Sequence, residues 1–326
     1  MSERHESHDM EIKVAALHQE KLQYPPQSSS LSFILMVFSN SLKVLLQSWF
    51  IFLLIFLSLA LPVSFLIFSL SLSSYAPKHH ILYLESLALH SQTHFEAQEV
   101  WEKSREETLS LLRLKFFYSL PIFLLSLLTS ICSVHSTSLY LSRTRPSLSS
   151  AVAAIKPNWK RAVVTSFCSY ILFLLSSQGP PLLAGAFYIH AELRLLILLI
   201  GFCFEVYLMA VLGMGLVVSV LEDRFGWDAI RVGSRLMEGR RTCGWVISAV
   251  FVALSSSIGR AFRALTDGKE FRGGWAMLVT MMKWRTGALV CLYGLIVLWS
   301  YVVTTAFYRE CRKRHCYYNV RCENEN

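Results

Sequence analysis

The segment that most limits what this chain can become is the apolar run LLILLIGFCFEVYLMAVLGMGLVVSV, residues 195–220, interrupted only by Glu205. An α-helix needs about 20 apolar residues to cross the hydrocarbon core of a bilayer, and only a structure that satisfies its own backbone can stay there. The run therefore reads as a transmembrane helix. Directly after it comes LEDRFGWDAIRVGSRLMEGRR, where Glu222, Asp223, Arg224, Asp228, Arg231, Arg235, Glu238, Arg240 and Arg241 alternate with aromatic and aliphatic residues. That mixture suits a helix lying in the headgroup layer, apolar side in lipid and arginines toward anionic phosphate. A span feeding a basic interfacial elbow is the unit to seek elsewhere.

Composition agrees. The 326 residues are 54% hydrophobic and only 16% charged, too apolar for a soluble domain with a hydrated surface. The net charge of +9 sits beside apolar runs and not along a soluble face, so it reads as juxtamembrane charge facing anionic phospholipids, with no role in nucleic-acid binding. The eight cysteines lie within or beside apolar runs or in the tail, which implies no disulfide framework.

Residues 1–29 read as a loosely ordered cytoplasmic tail. Residues 30–308 read as an all-α membrane domain with six spans, at about 49–72, 111–134, 160–180, 195–221, 242–261 and 286–308. Residues 309–326 form a basic cytoplasmic tail. Three amphipathic elbows precede alternate spans, at 30–47, 147–161 and 226–241. Elbow, span, outer loop, span recurs three times, which reads as repeated architecture without residue identity between the units. Pro62 should kink the first span. FEAQEVWEKSREE in the long connection 73–108 reads as a capping helix outside the membrane. QGPPLLAGAFYIHAE reads either as a tight outer hairpin or as a shallow re-entrant piece.

With this layout, 19 Lys and Arg lie on the side of both termini and 7 on the other, so the positive-inside rule puts both termini in the cytoplasm. The expected home is a membrane of the secretory pathway: endoplasmic reticulum, another endomembrane or the plasma membrane.

Residues that could carry function are few. Glu205, at mid-span, is the intramembrane polar candidate, open to substrate coupling, proton relay or a structural hydrogen bond, with the last favoured. His190, Glu192 and Arg194 are candidates for an ion pair at the outer interface. Arg143, Arg145, Lys156, Lys160, Arg161, Arg231, Arg235, Arg240 and Arg241 are candidates for contact with anionic lipid. Ala210, Gly213 and Gly215 would let another helix approach closely. Cys311, Cys316, Cys322 and His315 have spacings that match no zinc motif; palmitoylation of Cys311 and Cys316 suits the juxtamembrane position better. His79, His80, His90 and His94 with nearby glutamates read as a solvated face and not a metal site. No nucleophile elbow, zincin helix or phosphate loop occurs, so the chain reads as a non-enzymatic membrane scaffold or interaction protein without cofactor, whose partners are the bilayer, protein partners or a second copy; a small-solute transporter or channel is the alternative reading, and an accessory protein or enzyme of lipid metabolism a second.

The phrase VVSVLEDRFGWDAIRVGSRLMEGRR, the serine-rich amphipathic stretch before the first span and the ending FYRECRKRH together resemble a plant family of six-span transmembrane proteins catalogued only as uncharacterised. The shared positions are Glu222, Asp223, Phe225, Gly226, Ala229, Ser234, Gly239, Arg240 and Arg241. The span-plus-elbow arrangement is more distantly similar to the membrane domain of some bacterial glycerophosphodiester phosphodiesterases. The resemblance implies a fold and brings no catalytic residue.

Overall fold

A computed structural model describes residues 30–90, 94–144, 148–186, 191–266 and 283–324 of the chain. The tail 1–29, Arg145, His190 and most of the connection after residue 266 lie outside these described residues. The described chain is all α. It begins with α1 (Ser30–Gln47), followed by α2 (Trp49–Ile55), a π-turn (Phe56–Ala60) and α3 (Leu61–Ser73). Pro62 sits in the first turn of α3. Its missing N–H and the clash of its ring with the carbonyl four residues back are absorbed by the wider π-turn just before it, so the expected kink takes that form.

Beyond the first span, α4 (Tyr75–His90) packs on α5 (His94–Leu141). The expected capping helix and second span are one helix: α5 holds 48 residues, about 70 Å at 1.5 Å per residue, so its N-terminal third must stand clear of any bilayer. His80 Nδ1 and Glu107 Oε2, 2.6 Å apart, join α4 to this projecting part. At the other end α5 stops in an unusual cap. Arg143 has φ +60°, and the N–H groups of Arg143 and Thr144 bond back to the carbonyls of Tyr140 and Leu139. This is a Schellman turn with arginine where glycine is usual.

The remaining elements are α6 (Leu148–Ala153), α7 (Ile155–Ala186), α8 (Ala191–Leu221), α9 (Gly226–Leu236), α10 (Arg241–Thr266) and α11 (Trp284–Asn324). Four boundaries differ from the sequence expectation. The second elbow is a six-residue helix, and Lys156, Lys160 and Arg161 belong to the first turns of the following span. That span runs through Gly179 and both prolines to Ala186, where a turn or re-entrant piece was expected. The third elbow ends at Leu236, and Arg241 opens α10. The final helix continues to Asn324, so no helix end separates the last span from the basic tail.

Seven helices among the described residues are long and apolar enough to cross a membrane, and six of them coincide with the expected spans. The seventh is α1, expected as an elbow. Length and composition alone admit it, but its placement differs from the others. At its start, the Ser30 carbonyl accepts from Cys243 Sγ, and Phe33 meets Phe307 edge to face. At its close, Gln47 and Ser48 share a cleft with Tyr140, Leu141, Arg143 and Thr144. Arg309 reaches the Ser138 carbonyl and the Ser142 hydroxyl, so residues 138–144 and 307–309 lie at one end of the bundle. Both ends of α1 touch that same end. The helix lies across the bundle, wedged in by Phe38 against Phe251 and Trp299, with the Trp299 indole donating to Ser41 Oγ at 3.1 Å.

Candidate functional site

The same end of the bundle gathers the charged side chains. Where α8 stops, Leu221 is followed by two acids, and each is taken up by a different helix. Glu222 accepts from the Tyr308 hydroxyl at 2.5 Å and lies 3.7 Å from Arg312, both on α11. Asp223 is paired with Arg161 at the start of α7. The chain then turns through Gly226, whose φ of +60° suits glycine and whose N–H donates to Thr165 Oγ1 at 2.9 Å. From there α9 folds back on α8. A Cβ on Gly233 would stand 2.8 Å from the Gly215 nitrogen, and one on Gly215 would stand 3.0 Å from Ile230 Cα. Two glycines thus let the backbones touch, and Ala229, in the elbow between the acids and Gly233, is fully buried. Gly215, a small residue suited to close helix approach, meets the elbow itself.

With its small residues turned inward, α9 presents Trp227, Arg231 and Arg235 outward, beside exposed Phe225. Ser234 is half-buried. The elbow ends through Gly239 at φ +80°, a left-handed position that glycine fills without strain.

A family model described as a domain of unknown function, DUF8558, matches residues 25–319. The chain belongs to the DUF8558 family. No curated protein and no solved structure matches it. The matched region takes in all three elbows and every helix described above except the last five residues of α11, so in this DUF8558 chain the elbow end is part of the family's domain.

The nine cations expected to touch anionic lipid fall into two groups. Arg143, Lys156, Lys160, Arg231 and Arg235 are exposed. Three others are engaged within the protein: Arg161 pairs with Asp223, Arg241 lies 3.3 Å from Glu238, and the Arg240 guanidinium carbon stands 3.6 Å over the Phe33 ring. The ninth, Arg145, is not described. Sequence reading missed the α11 residues Tyr308, Arg309 and Arg312, because nothing in their spacing announces that a helix so far along the chain anchors Glu222 and the end of α5.

Elsewhere the candidates stand apart. Glu205 sits at the middle of α8, half-buried, and no hydrogen bond or ion pair joins it to another described residue. Glu192 and Arg194 are both exposed; two residues apart on a helix they do not face each other, and no ion pair links them. Cys311 is only 5% exposed, which leaves its thiol out of reach of an acylating partner. The side chain of Cys316 lies outside the described residues. Among the described residues, no three His, Cys, Asp or Glu gather as metal ligands.

Proposed function

We propose that this protein is a non-enzymatic membrane scaffold or interaction protein whose elbow end rests on an anionic lipid surface. One observation carries the reading. Exposed cations from four distant segments, Arg143, Lys156 with Lys160, Arg231 with Arg235, and Arg312 with Lys313, collect at one end of the helix bundle, and exposed Phe225 and Trp227 stand among them. The bonds from Glu222, Asp223 and Arg309 hold those segments at the same level. Cations at that level meet lipid phosphate while the aromatic rings enter the acyl boundary. In this reading six helices cross, α1 lies along the basic face, and both termini are cytoplasmic in a membrane of the secretory pathway, as the 19-to-7 bias of Lys and Arg supports. The resemblance to a plant six-span family belongs to the same reading and supplies architecture without catalytic residues. Glu205 would be the one mid-span carboxylate of a transporter, and it lacks the second charge a coupled path needs.

The test changes Lys156, Lys160, Arg231 and Arg235 together to Gln, sparing the arginines engaged in internal pairs. Each cation near an anionic surface contributes about 1 kcal/mol. In nanodiscs mixing brominated phosphatidylserine with phosphatidylcholine, the parent should show Trp227 quenching that the fourfold variant loses. Equal quenching in both would sink the lipid-contact reading. Reporters fused at Glu99 and at the C-terminus should respond from opposite sides of the membrane; responses from one side would refute the six-crossing topology.

A further inference from the structure

A second feature lies deeper and uses none of the charged groups. Between α5, α7, α8, α10 and α11 lies a half-open cavity of about 470 Å³, within the size range of small-molecule sites. Its floor lies about 7 Å along α7 from Arg161, at Ser166, and its far wall is at Phe173, so it occupies the elbow-side half of the spans. Much of the wall is apolar, from Phe123, Leu127, Leu212, Leu216 and Phe251. Among the described residues, no Asp, Glu, Lys, Arg or His lines it. A charged ligand would therefore lose its hydration without gaining a counter-charge, which the interior of a bilayer penalises by several kcal/mol.

Hydroxyl groups make the cavity unlike a plain packing defect. Ser130, Ser300 and Thr304 each donate to a carbonyl of their own helix, and so each keeps an oxygen able to accept. The Ser126 and Tyr301 hydroxyls are 3.3 Å apart across α5 and α11. On α7, Ser169 Oγ is buried with no hydrogen-bond partner among the described residues, an arrangement that folded proteins rarely leave unexplained. The cavity is reached from the side. Tyr170 and Met209 line it and are also 54% and 44% exposed, each well inside a helix long and apolar enough to cross a membrane, so an opening beside them would face hydrocarbon. An occupant would enter from within the membrane.

We infer that this cavity binds a neutral lipid alcohol: an uncharged molecule with a long apolar body and a free hydroxyl that bonds Ser169 and the neighbouring serine oxygens. The walls take the apolar body, the absence of any charge rejects phosphate-bearing headgroups, and the sideways door matches a ligand dissolved in the bilayer. The inference is independent of the elbow's lipid contact, because none of the cations tested above lines the cavity.

Photolabelling of the full chain in phosphatidylcholine nanodiscs tests it, using a photoreactive diacylglycerol, a photoreactive sterol, and a phosphatidylcholine with the diacylglycerol's own photoreactive tails. At equal mole fraction, at least one neutral probe should label segments 123–130 and 166–173 fivefold or more above the phosphatidylcholine probe, and its unlabelled form should compete. Ser169→Leu, which fills the space, should cut that labelling at least fivefold while leaving labelling at the outward-facing Phe116 and Phe117 unchanged. Ser248→Leu serves as a second filling variant should the first not fold. Ser169→Ala keeps the volume, so it should weaken the hydroxyl-bearing probe severalfold and leave its O-acetylated form unaffected. Equal labelling by all three probes would mean acyl tails enter without headgroup selection, and would overturn the inference. So would neutral-probe labelling that both filling variants leave untouched.

Discussion

The first and third elbows solve the same problem with opposite chemistry. α1 is 18 residues long and nearly uncharged, and it buries Phe33, Ile34, Val37, Ser41 and Val44 while presenting Leu31, Leu35, Met36, Leu42 and Leu46 outward. α9 is 11 residues long and amphipathic, with glycine and alanine inward and Arg231 and Arg235 outward. The first is held by shape, through the ring contacts of Phe33 with Phe307 and of Phe38 with Trp299. The second is held by backbone proximity at Gly215 and Gly233, and by bonds from the acids just before it. Large side chains tolerate some repacking, whereas a backbone-to-backbone contact leaves nothing to move.

The sharpest break of this contrast is at Gly233. Gly233→Leu forces a side chain into the Gly215 backbone, and should destabilise the bundle by at least about 3 kcal/mol, the upper end of overpacking effects. Thermal unfolding in detergent should show it as a large fall in Tm or loss of monodisperse protein. Leu35→Ala on the exposed face of α1 should shift stability by no more than about 0.5 kcal/mol. If Gly233→Leu unfolds like the parent, α9 is not docked by contact of its glycines.

Phe33→Ala should have an intermediate effect, removing the edge contact with Phe307 and the ring under Arg240. Phenylalanine-to-alanine changes in soluble cores cost about 3–5 kcal/mol. Inside a membrane, lipid tails solvate the exposed surfaces almost as well as the protein does, so only packing is lost and about 2 kcal/mol is expected. Equilibrium unfolding in mixed micelles measures it. A loss as large as in soluble cores would mean that this end of the bundle faces water.

The smallest effect tests the exit from the third elbow. Gly239 has φ +80° and open space around the position of a Cβ, so Gly239→Ala meets no clash and costs only left-handed backbone strain, about 1 kcal/mol. The stability curve should shift by that amount without a change in lipid preference. A change in lipid preference with stability intact would show that the turn, more than the helix, sets how the elbow meets the surface.

Much of the architecture is legible in the chain because a bilayer leaves few choices. An apolar run such as 195–220, broken only by Glu205, must be helical, and prolines and charges mark where such runs enter and leave lipid. The elbows are likewise visible as stretches where polar residues recur beside a span, although the second shrinks to the six residues of α6. The polar residues at 39–43 mark α1 as an elbow, but hydropathy alone admits it as a span, and only its two ends, set against Phe307 and Tyr140, show that it lies across the bundle. Nor could it separate engaged from free cations, because Arg161 and Lys160 read alike until Asp223, 62 residues on, is brought beside one of them.

What the sequence determined by itself is therefore the material: helices, their order, and an excess of positive charge next to certain spans. These follow from local forces, backbone hydrogen bonding in hydrocarbon and the cost of burying charge, which act on each segment alone. What only the tertiary structure decided is which side chains meet: Tyr308 with Glu222, Gly233 with Gly215, and a ring of serines around a cavity shared by five helices. Serines on the spans are exposed at Ser58, Ser119 and Ser256 and buried at Ser130, Ser133 and Ser219, so serine spacing carries no signal until helix rotation sets its direction. That rotation is fixed by packing between segments far apart in sequence.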